Sequence, residues 1–278
     1  MTRPFRVMGI VNVTPDSFSD GGEFLDASSA VAHALGLVGQ GADILDVGGE
    51  STRPGAEPVG AEEELRRVVP VLEGLQAAPG FAAAGVRVSI DTSKAVVAAA
   101  ALARGATIVN DVTALRGDPE MAAVIAGAEA ECCLMHMLGE PRTMQVDPRY
   151  EDVVGEVREF LAQRVAFAQA AGIAPERIMV DPGIGFGKSE KHNLELIRRL
   201  DEIVSLGPPV VIGTSRKGFL GRIAGRARGL AEPVGVDERL AGTIATNVLA
   251  FERGASVFRV HEVGPTRDSL AVAAATLA

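Results

Sequence analysis

Apolar residues along this chain fall into short, nearly continuous runs separated by longer stretches with helical spacing. Eight of the runs are too short for a helix and rich in Val and Ile, which is typical of buried β-strands. Most are apolar at nearly every position, as expected of strands covered on both faces. The predicted strands span residues 6–12, 42–47, 86–90, 107–110, 132–136, 178–181, 209–213 and 257–260.

The stretches between these runs are Ala- and Leu-rich or repeat their apolar residues at helical spacing, which predicts helices. Three glutamates open the second of them and suit the positive end of a helix dipole, whereas Pro70 predicts a kink in it. Residues 221–236 are predicted to form a solvated loop. The predicted helices span residues 30–38, 61–75, 94–104, 152–171, 191–206, 238–253 and 265–277.

The strict alternation of strands and helices predicts a parallel sheet with right-handed crossovers. Eight such units favour a closed (β/α)8 TIM barrel over an open doubly wound sheet. No linker and no shift in composition divides the chain, so residues 1–278 are predicted to form a single α/β domain.

Charge and cysteine usage narrow the possible partners. The net charge of −9 argues against nucleic acid or an acidic membrane surface, although a small anionic substrate needs only a local basic pocket. Cys132 and Cys133 are the only cysteines and are predicted to be buried strand residues rather than a disulfide or zinc site. With neither a signal peptide nor a membrane span in the pattern, we expect a cytoplasmic protein.

Every predicted strand ends in a hydrogen-bonding or charged side chain. One such residue is more often a helix cap than a ligand contact, but eight around one rim are hard to explain as caps. Because the active sites of (β/α)8 barrels lie at the C-terminal ends of the strands, these side chains are expected to converge. In chain order they are Asn12, the segment 48–54, Asp91 with Thr92, Asn110 with Asp111, His136, Asp181, the segment 215–217, and Arg259 with His261.

The side-chain types at these strand ends predict the kind of ligand. Asp91, Asn110 and Asp181 supply carboxylate and amide acceptors, and Lys217 adds one cationic donor. This set suits a flat heterocycle with N–H donors and ring acceptors. A guanine-like edge is one candidate, because a carboxylate can accept two adjacent N–H groups.

Arg53, Arg259 and His261 predict a cationic rim where phosphates would bind. The dinucleotide-binding, Walker and zinc-protease motifs are all absent from the sequence. The role of His136 stays open between a satisfied polar group under the barrel mouth and a catalyst.

Long motifs occur in order along the whole chain: MGIVNVTPDSFSDGG (8–22), DVGGESTRPGA (46–56), VSIDTSK (88–94), NDV (110–112), LMHM (134–137), DPGIGFGK (181–188), GTSRKGFLG (213–221) and RVH (259–261). Together they closely resemble the dihydropteroate synthase family. The resemblance implies a TIM barrel, usually a homodimer, that condenses (7,8-dihydropterin-6-yl)methyl diphosphate with 4-aminobenzoate. Diphosphate is released and 7,8-dihydropteroate is formed for folate synthesis, and sulfonamides compete for the aminobenzoate site.

The resemblance also implies roles at the matching positions of this sequence. Arg259 would stack on the pterin and, with His261, bind the diphosphate, while Asn12 would ligate Mg²⁺ beside it. The residues implied to hold the pterin are Asp91, Asn110, Asp181 and Lys217. Thr113 and Ala114 stand where Ser-Gly is common in the family, and neither has an implied role.

For the aminobenzoate site, the resemblance implies a lining made of Thr52, Arg53, Pro54, Phe186, Ser215 and Lys217, closed by Phe18. Asp91, Lys217 and Arg53 are implied to act in catalysis. We expect the loops 14–22 and 51–55 to close as lids over bound diphosphate, so that aminobenzoate binds second.

Two alternatives remain from the sequence. Pterin-binding methyltransferase barrels share Asp and Asn at strand ends, but they have no use for the segments 51–55 and 215–217. A non-catalytic pterin-binding paralogue should have lost Asn12, Arg53, Lys217 or His261, and all four are present.

Overall fold

The computed structural model describes residues 4–14, 27–51, 56–139 and 143–278. Within these ranges, each predicted strand is found with its ends shifted by at most two residues. The strands are β1 (Arg6–Asn12), β2 (Ile44–Gly48), β3 (Arg87–Asp91), β4 (Ile108–Asp111), β5 (Glu131–Met135), β6 (Ile178–Asp181), β7 (Val211–Ile212) and β8 (Val257–Val260).

All the strands are parallel and follow the order β6-β5-β4-β3-β2-β1-β8-β7. A bridge between Val180 and Val210 joins β6 to the start of β7. There the N–H of Val180 donates to the carbonyl of Pro209 at 3.0 Å. This bridge closes the sheet, so the predicted (β/α)8 barrel is confirmed.

Helices alternate with the strands and surround the barrel. The second helix continues through Pro70, and the helix predicted over 191–206 is divided into two. Of the helices described here, none combines the length and the apolar character needed to cross a membrane. The helices are α1 (Ala27–Gly39), α2 (Ala61–Ala77), α3 (Ala95–Leu102), α4 (Met121–Gly127), α5 (Val153–Ala170), α6 (Glu190–Arg198), α7 (Leu200–Val204), α8 (Gly218–Ala227), α9 (Leu240–Glu252) and α10 (Val263–Thr276).

The prediction of a loop over 221–236 is wrong for its first half, which belongs to α8. The glycines of this helix serve close packing rather than a turn. A Cβ at Gly221 would lie 2.9 Å from the carbonyl oxygen of Val234, and one at Gly225 would lie 2.6 Å from that of Glu232. The chain returning after α8 therefore packs directly on the helix backbone, which only glycine permits.

Side chains alternate between the barrel interior and the layer under the helices, as the period of a strand requires. One layer of the interior is apolar and takes one residue from each of seven strands, namely Met8, Ile44, Ile108, Cys133, Met179, Val211 and Val257. Cys132 faces the helix layer, and both cysteines are buried as free thiols, as predicted. Two residues further along four of these strands, the inward positions become polar: Asp46, Asn110, Asp181 and Arg259.

Candidate active site

The polar inward positions open into a cavity of about 700 Å³ at the C-terminal ends of the strands. The structure brings together there Asn12, Asp91, Asn110, Asp181, Phe186, Ser215, Lys217, Arg259 and His261. The other site residues predicted from the sequence, Phe18, Thr52, Arg53 and Pro54, lie outside the described residues, as does most of the two expected lids. Predicted strand-end residues of seven of the eight strands line the cavity, whereas Gly48, Gly49, Thr92, Asp111 and His136, all described, do not.

Arg259 crosses the floor of this cavity and is held by two carboxylates. Its Nε donates to Asp46 Oδ2 at 2.6 Å, and its Nη2 donates to Asp91 Oδ2 at 2.7 Å. The amide of Asn110 also donates to Asp46 Oδ2, at 3.1 Å. Asp46 is fully buried, so it acts behind the cavity wall as the anchor for both Arg259 and Asn110.

Sequence reasoning assigned no role to Asp46. The available signal was a carboxylate in the middle of an apolar strand, which is rare unless the group is paired. Its other oxygen, Oδ1, has no hydrogen-bond partner among the described residues.

Burial raises the pKa of the Asp91 carboxyl to about 7, although Arg259 acts in the opposite direction. Asp46 adds to the rise, because two negative charges near each other disfavour ionisation. Burial also raises the pKa of Asp181, opposed by a hydrogen bond from the N–H of Gly183 at 2.7 Å and by the charge of Lys217. Hydrogen-bond donors on a ligand would therefore stabilise the ionised form of both carboxyl groups on the cavity floor.

Phe186 and Lys217 form one wall of the cavity. The Nζ atom of Lys217 lies 4.1 Å from the centroid of the Phe186 ring, within the range of a cation–π contact. Gly185 leaves room for this arrangement, since a Cβ there would be 3.1 Å from Lys217 Cδ. The wall combines an aromatic face with a cation, which suits an aromatic ligand that carries a negative group.

Lys188, from the same loop, is buried beneath this wall. Its Nζ donates to His136 Nδ1 and to the carbonyl oxygen of Phe186, both at 2.9 Å. Burial lowers the pKa of Lys188 to about 7. Burial, with the charge of Lys188, lowers the pKa of His136 to about 3. Bonded to Lys188 and held neutral, His136 fits the first of the two alternatives from the sequence, a satisfied polar group under the barrel mouth.

Ser215 and His261 meet at the rim. Ser215 Oγ accepts from the main-chain N–H of His261 at 3.2 Å and lies 2.9 Å from its Nδ1. Between Ser215 and Lys217, Arg216 has a φ of 59°, in the left-handed region that costs a non-glycine residue about 1–2 kcal/mol. Its Nε donates to Glu262 Oε1 at 2.5 Å, so this turn is fixed by an ion pair.

A second, partly buried ion cluster lies before the segment 52–55. Lys94 Nζ binds Glu50 Oε2 at 2.6 Å and Glu64 Oε2 at 2.5 Å. Glu50 Oε1 also accepts the N–H of Val59 at 2.9 Å. Glu50 precedes this segment and Val59 follows it, so Glu50 links the main chain on both sides of the segment to Lys94.

Among the described residues, no group of three or more His, Cys, Asp or Glu is placed to hold a metal ion. Mg²⁺ is commonly bound by one or two protein oxygens together with substrate phosphates, and it does not need such a group. Asn12, at the end of β1, lines the cavity beside Thr14 and offers oxygen donors there. The residues present therefore suit a Mg²⁺ ion that binds with a phosphate ligand.

Comparisons with known proteins identify the family of this chain. The family model for pterin binding enzymes matches residues 8–261. A dihydropteroate synthase of Neisseria meningitidis is 47% identical over 272 residues, which cover 96% of this chain and 91% of the relative.

Solved structures are similar over nearly the whole chain. The dihydropteroate synthase of Xanthomonas albilineans with 4-aminobenzoic acid has a TM-score of 0.88 and 46% identity, covering 99% of this chain and 94% of that one. The same enzyme with 7,8-dihydropteroate has a TM-score of 0.85 and 45% identity, with the same coverage. The Yersinia pestis enzyme with a sulfonamide drug has a TM-score of 0.88 and 39% identity, again with that coverage. The chain therefore belongs to the dihydropteroate synthase family of pterin-binding enzymes.

Proposed function

We propose that the cavity at the barrel mouth is where this chain condenses (7,8-dihydropterin-6-yl)methyl diphosphate with 4-aminobenzoate to give 7,8-dihydropteroate and diphosphate. The observation that carries the proposal is the convergence of buried acceptors, a cationic rim and an aromatic wall on one cavity. Its volume of about 700 Å³ lies within the usual range for a small-molecule site. Family membership favours this transferase over a methyltransferase barrel.

The floor of the cavity is proposed to bind the pterin. Asp91 and Asn110 present acceptors from the adjacent strands β3 and β4, and Asp181 presents one from β6 at the same cavity, while the pterin ring offers N–H donors. Because ligand donors favour the ionised carboxylates, pterin binding offsets the desolvation that raises the pKa of Asp91. Arg259, held between two carboxylates, is fixed where it can stack on the ring.

The rim is proposed to bind the diphosphate. Arg259 uses two of its five N–H donors on carboxylates, so others are available for phosphate oxygens. His261 lies at the same rim, positioned by Ser215. A Mg²⁺ ion held by Asn12 would neutralise negative charge on the leaving diphosphate.

The wall formed by Phe186 and Lys217 is proposed to bind 4-aminobenzoate, with Ser215 beside it and with Phe18 and residues 52–54 completing the site. Lys217 would contact both substrates, because it lies between the floor and Phe186. A Xanthomonas albilineans relative was solved with 4-aminobenzoic acid and a Yersinia pestis relative with a sulfonamide drug. We therefore propose that sulfonamides compete with aminobenzoate in this chain.

The residues assigned to this site suit a reaction without a strong general base. An aromatic amine is already neutral at pH 7, so it can attack the methylene carbon once the C–O bond to diphosphate has broken, and the proton it loses as the C–N bond forms passes to the diphosphate or to solvent. Ring electrons can help expel the diphosphate, which gives a cationic methylene-pterin. The Asp91 carboxylate and the cationic rim are placed to stabilise the separating charges, and we propose this dissociative route.

Lys217→Ala tests the assignment most simply, with the exposed Lys191→Ala as the matched control. Loss of a charged hydrogen bond in a closed site should weaken the binding of each substrate by about 1.5–3 kcal/mol. Calorimetry should show this loss for both substrates in the first variant and for neither in the control. Near-normal affinity for both substrates in Lys217→Ala would contradict the proposal, and turnover separates an enzyme from a non-catalytic paralogue.

We also propose a homodimer and a cytoplasmic location, both expected from the sequence. The helices α9 and α10 pack together and each carries an exposed apolar residue, Leu249 and Val272, that a second copy could cover. Two buried free thiols agree with a reducing compartment. Sedimentation and cell fractionation would test these two points.

A further inference from the structure

Two side chains from the segment before α5 and one from the loop itself hold the main chain of the loop between β6 and α6. Three successive carbonyl oxygens of this loop each accept a hydrogen bond from a side chain. We call the three donor residues the clamp. The pairs are Gln145 Nε2 with Gly185 O at 2.5 Å, Lys188 Nζ with Phe186 O at 2.9 Å, and Tyr150 Oη with Gly187 O at 2.9 Å.

The same loop packs against the backbone that follows β5, and at two of its glycines there is no room for a side chain. Gly183 and Gly187 have φ values of 67° and 64°. A Cβ at Gly183 would lie 1.9 Å from the carbonyl oxygen of His136, and one at Gly187 would lie 2.6 Å from that of Leu138. The glycines of the loop thus pack directly against the main chain after β5, and the clamp bonds to three of its carbonyl oxygens. Both sets of contacts fix the position of its main chain.

Lys188 is the centre of the clamp. Only 2% of its surface is exposed, and it joins the carbonyl of Phe186 to the ring of His136 at the end of β5. Its bonded partners are an imidazole nitrogen and carbonyl oxygens rather than a carboxylate. Burial of an ammonium group without a bonded carboxylate is costly, which indicates a role beyond filling space.

The residue that Lys188 holds is the one whose ring forms the cavity wall. Phe186 packs against a small apolar cluster on one side and lies 4.1 Å from Lys217 Nζ on the other. A shift of the Phe186 main chain would therefore alter the spacing between the aromatic ring and the cation.

We propose that Lys188, supported by Tyr150, is a positioning residue for the aminobenzoate subsite. It fixes the main chain of Phe186 so that the ring and Lys217 stand at the spacing that a benzoate requires. The proposal rests on the function proposed above, and both residues act through the loop, since Lys188 bonds to His136 and Phe186 and Tyr150 bonds to Gly187.

The test uses Lys188→Met, which keeps most of the unbranched side chain but removes the ammonium group, and Tyr150→Phe, which removes only the hydroxyl. The control is Lys191→Met, at an exposed position three residues away. The KM for aminobenzoate should rise about tenfold in Lys188→Met and about threefold in Tyr150→Phe. The inhibition constant of a sulfonamide should rise by the same factor in each variant, because the drug shares the benzene ring. In Tyr150→Phe, kcat and the Kd of the dihydropterin diphosphate should stay within about twofold of wild type.

Tyr150→Phe separates positioning from electrostatics. Lys188 also favours ionisation of Asp181, so Lys188→Met changes the charge near the pterin site. Tyr150→Phe leaves Lys188 in place and does not change that charge. A KM for aminobenzoate that is unchanged in Tyr150→Phe would overturn the proposal, even if Lys188→Met failed to fold. A parallel loss of pterin affinity and aminobenzoate affinity in Tyr150→Phe would also overturn it. Failure of the proposed function is distinct, because the wild-type chain would then form no dihydropteroate.

Discussion

Replacing Asp46 with asparagine tests how the buried carboxylate behind the cavity organises the floor. The change keeps the shape of the side chain and removes one negative charge. Asp46 Oδ2 accepts from Arg259 Nε at 2.6 Å and from Asn110 Nδ2 at 3.1 Å. An asparagine oxygen can still accept from Arg259, and Asp91 continues to pair with the guanidinium at 2.7 Å.

The expected loss of stability follows from these contacts. Removing one partner of a buried ion pair outright costs about 3–5 kcal/mol, because the other charge is left unpaired. Here the guanidinium keeps one carboxylate and one amide oxygen. The loss is therefore the difference between a charged and a neutral hydrogen bond, about 1–2 kcal/mol. Urea unfolding measures it.

Although Asp46→Asn should lower the stability of the fold, its electrostatic effect should strengthen ligand binding at low pH. Asp46 helps to hold the pKa of Asp91 near 7, so its neutralisation should lower the pKa of Asp91. If the pterin binds the ionised Asp91, its affinity falls as the pH drops below that pKa. Asp46→Asn moves this fall to lower pH. The ratio of the variant's affinity for the dihydropterin diphosphate to that of wild type should therefore be several-fold higher at pH 6 than at pH 8.

Calorimetric titrations from pH 5 to pH 8 measure this shift, with Asp43→Asn as the matched control. Asp43 lies three residues away, bonds to the N–H of Val7 and pairs with Arg267 outside the cavity. Its replacement should leave the pH dependence of pterin affinity unchanged. The reasoning is refuted if Asp46→Asn leaves that dependence in place or moves it to higher pH.

Three further predictions concern other parts of the structure. The pKa of His136 is lowered to about 3 in the folded chain, so its contribution to stability is present above pH 6.5 and is lost as the pH falls from 6.5 toward 3. Urea unfolding of His136→Gln should therefore show a free energy of unfolding that falls less steeply with decreasing pH than in wild type, by about 1.4 kcal/mol per pH unit below 6.5. Ala114 is buried with a φ of 54°, so Ala114→Gly should change stability by less than about 0.5 kcal/mol, whereas the same change at the buried helical Ala98 should cost about 1–2 kcal/mol; equal losses would disprove the account of strain at Ala114. Asn12→Ala should raise the Mg²⁺ concentration needed for half-maximal turnover and leave pterin affinity without Mg²⁺ unchanged; full turnover at limiting Mg²⁺ would exclude the metal role.

The barrel was predictable because its strands are short apolar runs whose pattern depends on local sequence alone. The helix α8 was not, because its Gly221 and Gly225 serve contacts with residues that return later in the chain. The short α4 was missed as well, because seven residues give too little periodicity.

At the site, strand ends could be predicted because parallel strands bring them to one rim. Asp46 was missed because its role depends on Arg259, which is 213 residues away in sequence and meets it only once β8 pairs with β1. Lys188 was missed for the same reason, since its partner His136 is 52 residues earlier. Pairings of this kind depend on the register of the closed sheet, which a single sequence does not display.

The central claim is that this cavity joins a dihydropterin to aminobenzoate with loss of diphosphate. The most direct measurement incubates the purified chain with the dihydropterin diphosphate and Mg²⁺, with and without 4-aminobenzoate, and quantifies diphosphate and 7,8-dihydropteroate. The account predicts that both products form in equal amounts when aminobenzoate is present. Diphosphate release without dihydropteroate in the complete mixture, or no release at all, would contradict it.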